Sequence, residues 1–248
     1  MELVKQKEKE FHNKAFREEI RKNLDKYYQT TGSSRAFYQK FLLANSKNKN
    51  VLEYGCGPGS QAFLLARQAT RVTGIDISEV AIVQATQQAK EERLKNAAFL
   101  VMDAENLNFA NDTFDIICGS AILHHLNVDR AYAEIARTLK PDGVAVFWEG
   151  LGHNPLINLY RKLTPRLRTE DEHPLLMADL NKARSFFGKV ETHFFHLFSL
   201  AAIPLHRFAV AGRMLNFGDG LDRLLFKYLP FTKKYAWITV MVLSQPKE

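Results

Sequence analysis

Residues 51–60 read Val-Leu-Glu-Tyr-Gly-Cys-Gly-Pro-Gly-Ser, an apolar run that enters a glycine-rich turn. Gly55, Gly57 and Gly59, at alternate positions, let the backbone turn tightly and approach a ligand with no side chain in the way. A helix opening after such a turn offers its unpaired N-terminal amides to the same ligand. Asp76 follows 21 residues after Gly55, at the end of the next apolar run. A carboxylate at that place can accept hydrogen bonds from both hydroxyls of a ribose. Strand, turn, helix and strand in this order predict an open parallel sheet that binds a nucleoside-containing ligand. The spacing is G-x-G-x-G with Glu53 two positions before the first glycine, and Ser60 stands where the dinucleotide fingerprint G-x-G-x-x-G/A has its last glycine or alanine.

Downstream, short apolar or β-branched runs alternate with longer helical stretches, the pattern of a parallel α/β sheet. Strands are predicted at 50–54, 71–76, 97–102, 114–118 and 143–149, with helices at 59–69, 78–94 and 128–139. Lys140-Pro141-Asp142-Gly143 reads as a turn feeding the fifth strand. Upstream, Phe11, Ala15, Phe16, Ile20 and Leu24 recur with helical spacing over residues 2–30, Thr30 to Ser34 breaks that helix, and 35–44 forms a second. Beyond the alternating region, 150–176 has no period, 177–187 reads as a helix, 190–198 as a strand, 200–230 as an apolar, aromatic helical insertion, and 237–244 as a last strand. The expected division is a helical cover over 1–48 and a main domain over 49–248, with insertions on the acceptor side at 150–188 and 199–236.

With these motifs in order, the chain resembles the class I S-adenosylmethionine-dependent methyltransferases, and within them the group that includes the ubiquinone and menaquinone C-methyltransferase-like enzymes. The resemblance rests on Glu53 to Gly59, on Gly74-Ile75-Asp76-Ile77-Ser78, on Met102 to Leu107, on Phe114-Asp115-Ile116-Ile117 and on Leu139 to Gly143. It covers 49–150 well and the flanks loosely. Glu53 stands where Asp is commoner, and Asp142 where the family often has Gly. The resemblance implies a Rossmann-like α/β fold: seven mostly parallel strands with helices on both faces, N-terminal helices, and a helical cap inserted before the last strand. It also implies S-adenosyl-L-methionine as the methyl donor. By the same carry-over Asp76 holds the ribose, Ile77 packs on the adenine, Asp103 accepts from its exocyclic amine and the Ala104 amide donates to its ring. Gly55, Gly57 and the Cys118-Gly119 backbone line the methionine end.

The acceptor side has several candidates. His124 and His125 follow the fourth strand, at the end where ligands bind in open parallel sheets, and either is placed to take a proton from an attacking hydroxyl. The alternative is that one meets the donor's carboxylate and the other packs. Glu149 and His153 leave the fifth strand at the same end, as catalytic candidates or as loop structure. Arg166, Arg168, Glu170, Asp171, Glu172 and His173 form a polar cluster that reads either as a clamp on the acceptor, with His173 a catalytic candidate, or as a solvated loop. Tyr27 and Tyr28 serve either to cover the donor or to pack in the core. No group of residues has diagnostic metal-ligand spacing, so no metal is expected.

Composition narrows the partners. The 248 residues are 46% hydrophobic and 25% charged, ordinary for a globule. The net charge of +7 is unevenly spread: residues 1–50 hold 12 Lys or Arg against 6 Asp or Glu, whereas 51–150 hold 8 against 13. An acidic centre flanked by basic segments suits a cationic donor and disfavours a nucleic-acid binder; DNA is not expected as a partner, and RNA is disfavoured. Cys56 and Cys118 cannot build a disulfide framework, and the charged N-terminal stretch has no apolar signal-peptide centre, so the cytoplasm is the expected location. The uncharged run from Thr192 to His206 has 15 residues, short of the ~20 that span a bilayer. Leu221 to Phe231, with Lys233 and Lys234 following, reads as a cap helix before it reads as a peripheral lipid contact. The expected activity is methyl transfer to a small or lipid-like acceptor, oxygen before carbon, with the oligomeric state left open. The rivals are a nucleotide-dependent oxidoreductase and a catalytically silent methyltransferase-like module docking on a partner or membrane.

Overall fold

The computed structural model describes residues 2–17, 31–164, 174–200 and 211–247. Tyr27, Tyr28, the cluster from Arg166 to His173 and the stretches 18–30 and 201–210 lie outside the described residues. Helices α1 (Glu2–Arg17) and α2 (Gly32–Asn45) precede β1 (Asn50–Tyr54), α3 (Ser60–Ala66), β2 (Arg71–Asp76), α4 (Glu79–Glu91), β3 (Ala97–Val101) and β4 (Phe114–Ser120). A short 3₁₀ turn at Leu123–His125 leads to α5 (Val128–Thr138), β5 (Leu139–Gly150), α6 (Pro155–Leu163), α7 (Met177–Phe186) and β6 (Phe187–Phe195). The last elements are α8 (Ala211–Tyr228), a 3₁₀ segment (Pro230–Tyr235) and β7 (Ile238–Pro246).

The seven strands form one sheet in the order β3-β2-β1-β4-β5-β7-β6. Pairings from β3 through β5 are parallel, and β7 runs antiparallel to both β5 and β6. This is the expected Rossmann-like sheet. Its strands alternate between two cores because successive side chains point to opposite faces. Leu52, Ile117, Phe147 and Met241 pack with Tyr132 and Ile135 of α5 and Leu180 of α7 on one face. Val51, Ile116, Val146 and Val240 pack with Tyr38 and Leu42 of α2 and Leu65 of α3 on the other. The strand order reverses between β1 and β4, and the crevice at the carboxyl ends there is where open α/β sheets take ligands.

Three local details differ from the expectation. Lys140 to Gly143 lies inside β5 rather than ahead of it: Phe114 pairs Leu139 and Ile116 pairs Val144, so the four residues bulge out between two paired positions. The aperiodic 150–176 stretch contains α6, whose start is capped by the Asn154 side chain accepting from the Leu156 and Ile157 amides, with Pro155 in the first turn. Strand β6 runs three residues earlier than predicted, since Phe187 pairs Pro246 at one end and His196, with φ of 64°, turns the chain at the other.

Candidate active site

The glycine turn takes the backbone shape its sequence predicts. Gly55, Gly57 and Gly59 have φ of 67°, 51° and 94°, the left-handed region that side chains disfavour. At Gly55 the requirement is doubled, because a Cβ would stand 2.7 Å from Ile122 of the turn after β4. Asp76 closes the turn from below. Its Oδ2 accepts from the Gly57 amide and its Oδ1 from the Ser78 amide, each at 2.8 Å. Ser78 in turn caps α4 by accepting from Ala81. The Asp76 carboxylate is thereby fixed in place by two backbone amides.

Glu53 lies at the other end of the turn, buried on the α3 side of β1, where its Oε2 accepts from the Ala62 amide at 2.7 Å. Burial pushes its carboxyl up to about 8, and the nearby Asp76 charge adds to the rise. Asp103, after β3, accepts the Glu105 amide at 2.9 Å, and the Tyr54 hydroxyl donates to the Ala104 carbonyl.

On the acceptor side Glu149 organises the turn after β4 from beneath. Fully buried, its Oε1 accepts the Ile122 and Leu123 amides at 2.8 Å each, and its Oε2 lies 2.8 Å from Nδ1 of His124. A carboxylate held on Nδ1 fixes the tautomer in which Nε2 is the basic nitrogen. The His124 and His125 rings sit 4.2 Å apart between centroids.

A cavity of about 490 Å³ joins these groups, within the usual range for small-ligand sites. It is lined by Glu53, Gly55, Gly57, Asp76, Ile77, Asp103, Ala104, His124 and His125 of the predicted residues. Five predicted residues stand behind the lining. Gly59 faces Phe63 and Phe99. The Cys118 side chain packs in the core on the α2 and α3 face, and the Gly119 carbonyl accepts from Tyr38. Glu149 supports the histidine turn. His153 is turned to α7, its Nε2 accepting from the Met177 amide at 3.2 Å. His173 lies outside the described residues. Burial raises both cysteine thiols above their ordinary range, which keeps them protonated.

The sequence predicts a helical cover over 1–48 but does not single out the residues by which α1 and α2 reach the cavity. Glu8, His12 and Phe16 reach the cavity from α1, as does Lys5, and Arg35, Tyr38 and Gln39 reach it from α2. Lys5 Nζ lies 2.5 Å from Asp103 and 2.9 Å from Glu105, while Asn13 accepts from the Ser78 hydroxyl at 2.6 Å. The available signal was the spacing of Glu8, His12 and Phe16 at four-residue intervals, which puts a carboxylate, an imidazole and a phenyl ring on one stripe.

A sheet of this order, with a glycine turn and two strand-end carboxylates opening on one cavity, defines the class I S-adenosylmethionine-dependent methyltransferase fold. Residues 51–143 match the methyltransferase domain family. The uncharacterized methyltransferase YcgJ of Bacillus subtilis is 36% identical over 94 residues, 38% of this chain and 37% of that protein. Its crystal structure superposes with a TM-score of 0.56 at 18% identity, covering 88% of this chain and 99% of that one. A ubiquinone biosynthesis O-methyltransferase of Coxiella burnetii is 34% identical over 115 residues, 46% of this chain and 48% of its own length. The phosphoethanolamine N-methyltransferase 2 of Haemonchus contortus, in complex with S-adenosyl-L-methionine, superposes with a TM-score of 0.61 at 18% identity over 84% of this chain and 53% of that one. The sequence matches thus span about half or less of the curated relatives, and the structural likenesses speak to the fold.

Proposed function

We propose that this protein transfers the methyl group of S-adenosyl-L-methionine to an oxygen of a small or amphiphilic acceptor. The observation that carries the reading is one cavity lined both by the donor-type groups, Gly57, Asp76 and Asp103, and by the His124 turn. The residues present fit the donor: Asp76 is pre-set by two amides, and the glycine turn puts no side chain between its backbone and the Phe16 ring, which would stand 3.3 Å from a Cβ at Gly57. When bound, the donor supplies an electrophilic methyl on sulfur that leaves as a neutral thioether. Asp76 holds the ribose and Asp103 the adenine edge, and the cavity walls keep water from the reacting atoms. His124, with Nδ1 held by Glu149, takes the acceptor's proton at Nε2. On this reading 1–48 is a cover and 49–248 the catalytic unit.

Mass spectrometry of extracts incubated with the protein and isotopically labelled donor tests the reading. A labelled product carrying the methyl on oxygen is expected; a product labelled on carbon or nitrogen overturns the oxygen assignment. Calorimetry is expected to show binding of S-adenosyl-L-methionine and none of NAD. Asp76→Ala weakens donor binding by about tenfold or more, through loss of charge-assisted hydrogen bonds. Unchanged affinity removes Asp76 from the site.

A second observation supports a lipid-like acceptor. Leu156, Leu159 and Leu163 share one exposed stripe of α6, and Phe217, Leu224 and Tyr228 share one on α8. Arg161, Lys162, Lys227, Lys233 and Lys234 lie among them. No helix of the described residues is long and apolar enough to cross a membrane. The proposed location is the cytoplasm, with these two faces against an anionic lipid surface.

A further inference from the structure

The mechanism above leaves Glu8, His12 and His125 without a task, although they meet in the cavity from opposite sides. Glu8 and His12 are one turn apart on α1, and His125 lies on the turn after β4. Glu8 Oε2 is 3.3 Å from Nε2 of His12 and 3.3 Å from Nδ1 of His125, and the three atoms all lie within 4.8 Å of one another. The His12 and His125 rings stand edge to face, with centroids 5.1 Å apart. All three side chains are nearly closed off from solvent, between 7% and 13% exposed, and all three line the cavity.

A tetrahedron built on metal–ligand bonds of ~2.0–2.1 Å has edges of ~3.3–3.4 Å. Two edges of this triangle already have that length. Two imidazoles and one carboxylate, with a fourth position left open, is a donor set suited to zinc-class divalent ions. We propose that Glu8, His12 and His125 bind one such ion, and that its open position, facing the cavity, takes the hydroxyl oxygen of the methyl acceptor. Lys5, on the same helix, is paired to Asp103 and Glu105.

The inference rests on the methyltransferase reading and deepens it by naming the acceptor class: a phenol or alcohol able to ligate a metal. Coordination lowers the hydroxyl's pKa, as it does for metal-bound water. The O–H bond breaks and the proton passes to Nε2 of His124. The electron pair stays on oxygen and forms the new bond to the methyl carbon, while the carbon–sulfur pair leaves on sulfur. His124 and His125, adjacent in sequence, then have separate tasks, one on the proton and one on the ion.

The test is a cobalt(II) titration of the full chain after chelator treatment, read by absorption, with S-adenosylhomocysteine affinity measured on the same samples. One equivalent of cobalt with a four-coordinate spectrum, displaced by zinc, is expected. Glu8→Gln and His12→Ala each weaken it more than about a hundredfold, because even outer-shell partners of a metal are worth about 10–100-fold. Added phenol shifts the spectrum. Absence of a four-coordinate spectrum in a protein that still binds S-adenosylhomocysteine overturns the metal site and leaves the methyltransferase reading standing. Cobalt affinity that is unchanged in both variants also overturns it, and a spectrum indifferent to phenol overturns the placement of the acceptor oxygen. Cobalt binding without S-adenosylhomocysteine binding supports the site and removes the methyltransferase reading. Should His12→Ala fail to fold, Glu8→Gln and the native titration still decide.

Discussion

Glu53 is a buried carboxyl whose ionisation costs more in the folded chain than in the unfolded one. Its folded value of about 8 lies above the ordinary carboxylate value of 4.5, so the folded state holds the extra proton between those pH values. The stability this confers is complete below pH 4.5 and is lost as pH rises through about 8. Denaturant titrations between pH 5 and 9 should show that decline, and Glu53→Gln should remove it. A variant with the native slope would mean that another group carries the linkage. Residues such as Gly57 and Asp76 were legible in the sequence because their geometry is local to a turn and the strand beside it. Glu8, His12 and Lys5 were not, since what gives them meaning is contact across the fold: Lys5 meets a carboxylate 98 positions away. Its place at a strand end makes Glu149 a catalytic candidate in the sequence, and the tertiary structure sets it behind the cavity lining, against the His124 turn.

Among the elements, α8 shows how an insertion is pinned to a sheet. Asp222, buried on α8, accepts the Leu197 and Phe198 amides, and Gly218 lets the helix approach Ser199 so closely that a Cβ would stand 2.7 Å from its Cα. His196 completes the joint, with Nε2 at 2.9 Å from Ser34 of α2, whose hydroxyl also accepts from Trp148. Burial lowers His196 to about 4, below the ordinary imidazole value of 6.5. Its contribution is present above pH 6.5 and lost as pH falls toward 4, and it amounts to on the order of 3 kcal/mol. His196→Gln should lower the midpoint of thermal unfolding at pH 7 and flatten the acid-side loss between pH 6.5 and 4; an unchanged acid limb would exclude His196 as its source. The joint was invisible to periodicity, because a buried histidine carries no pattern. Helix α6 was legible in principle, through Asn154 and Pro155 at its start. The aperiodic, proline-bearing run that follows concealed it. The bulge in β5 came out differently because a proline–glycine pair signals a turn without saying whether the strand resumes in the same ladder.

For the whole molecule, charge and apolar surface divide the labour. The central 51–150 segment is acidic and holds the cavity, while basic and exposed apolar residues gather on α6, α8 and the segment after it. Flotation with anionic vesicles should recover the protein, and should fall as salt rises or when Leu159→Glu and Phe217→Glu are combined. Equal recovery on neutral vesicles would dismiss the electrostatic part of the contact. The relation of α1 to the cavity bears on the whole molecule too. That helix rests on Asp103 through Lys5 and on the start of α4 through Asn13. On the proposed function this puts the first helix over the nucleoside end of the cavity, so that whatever enters or leaves there has to pass it.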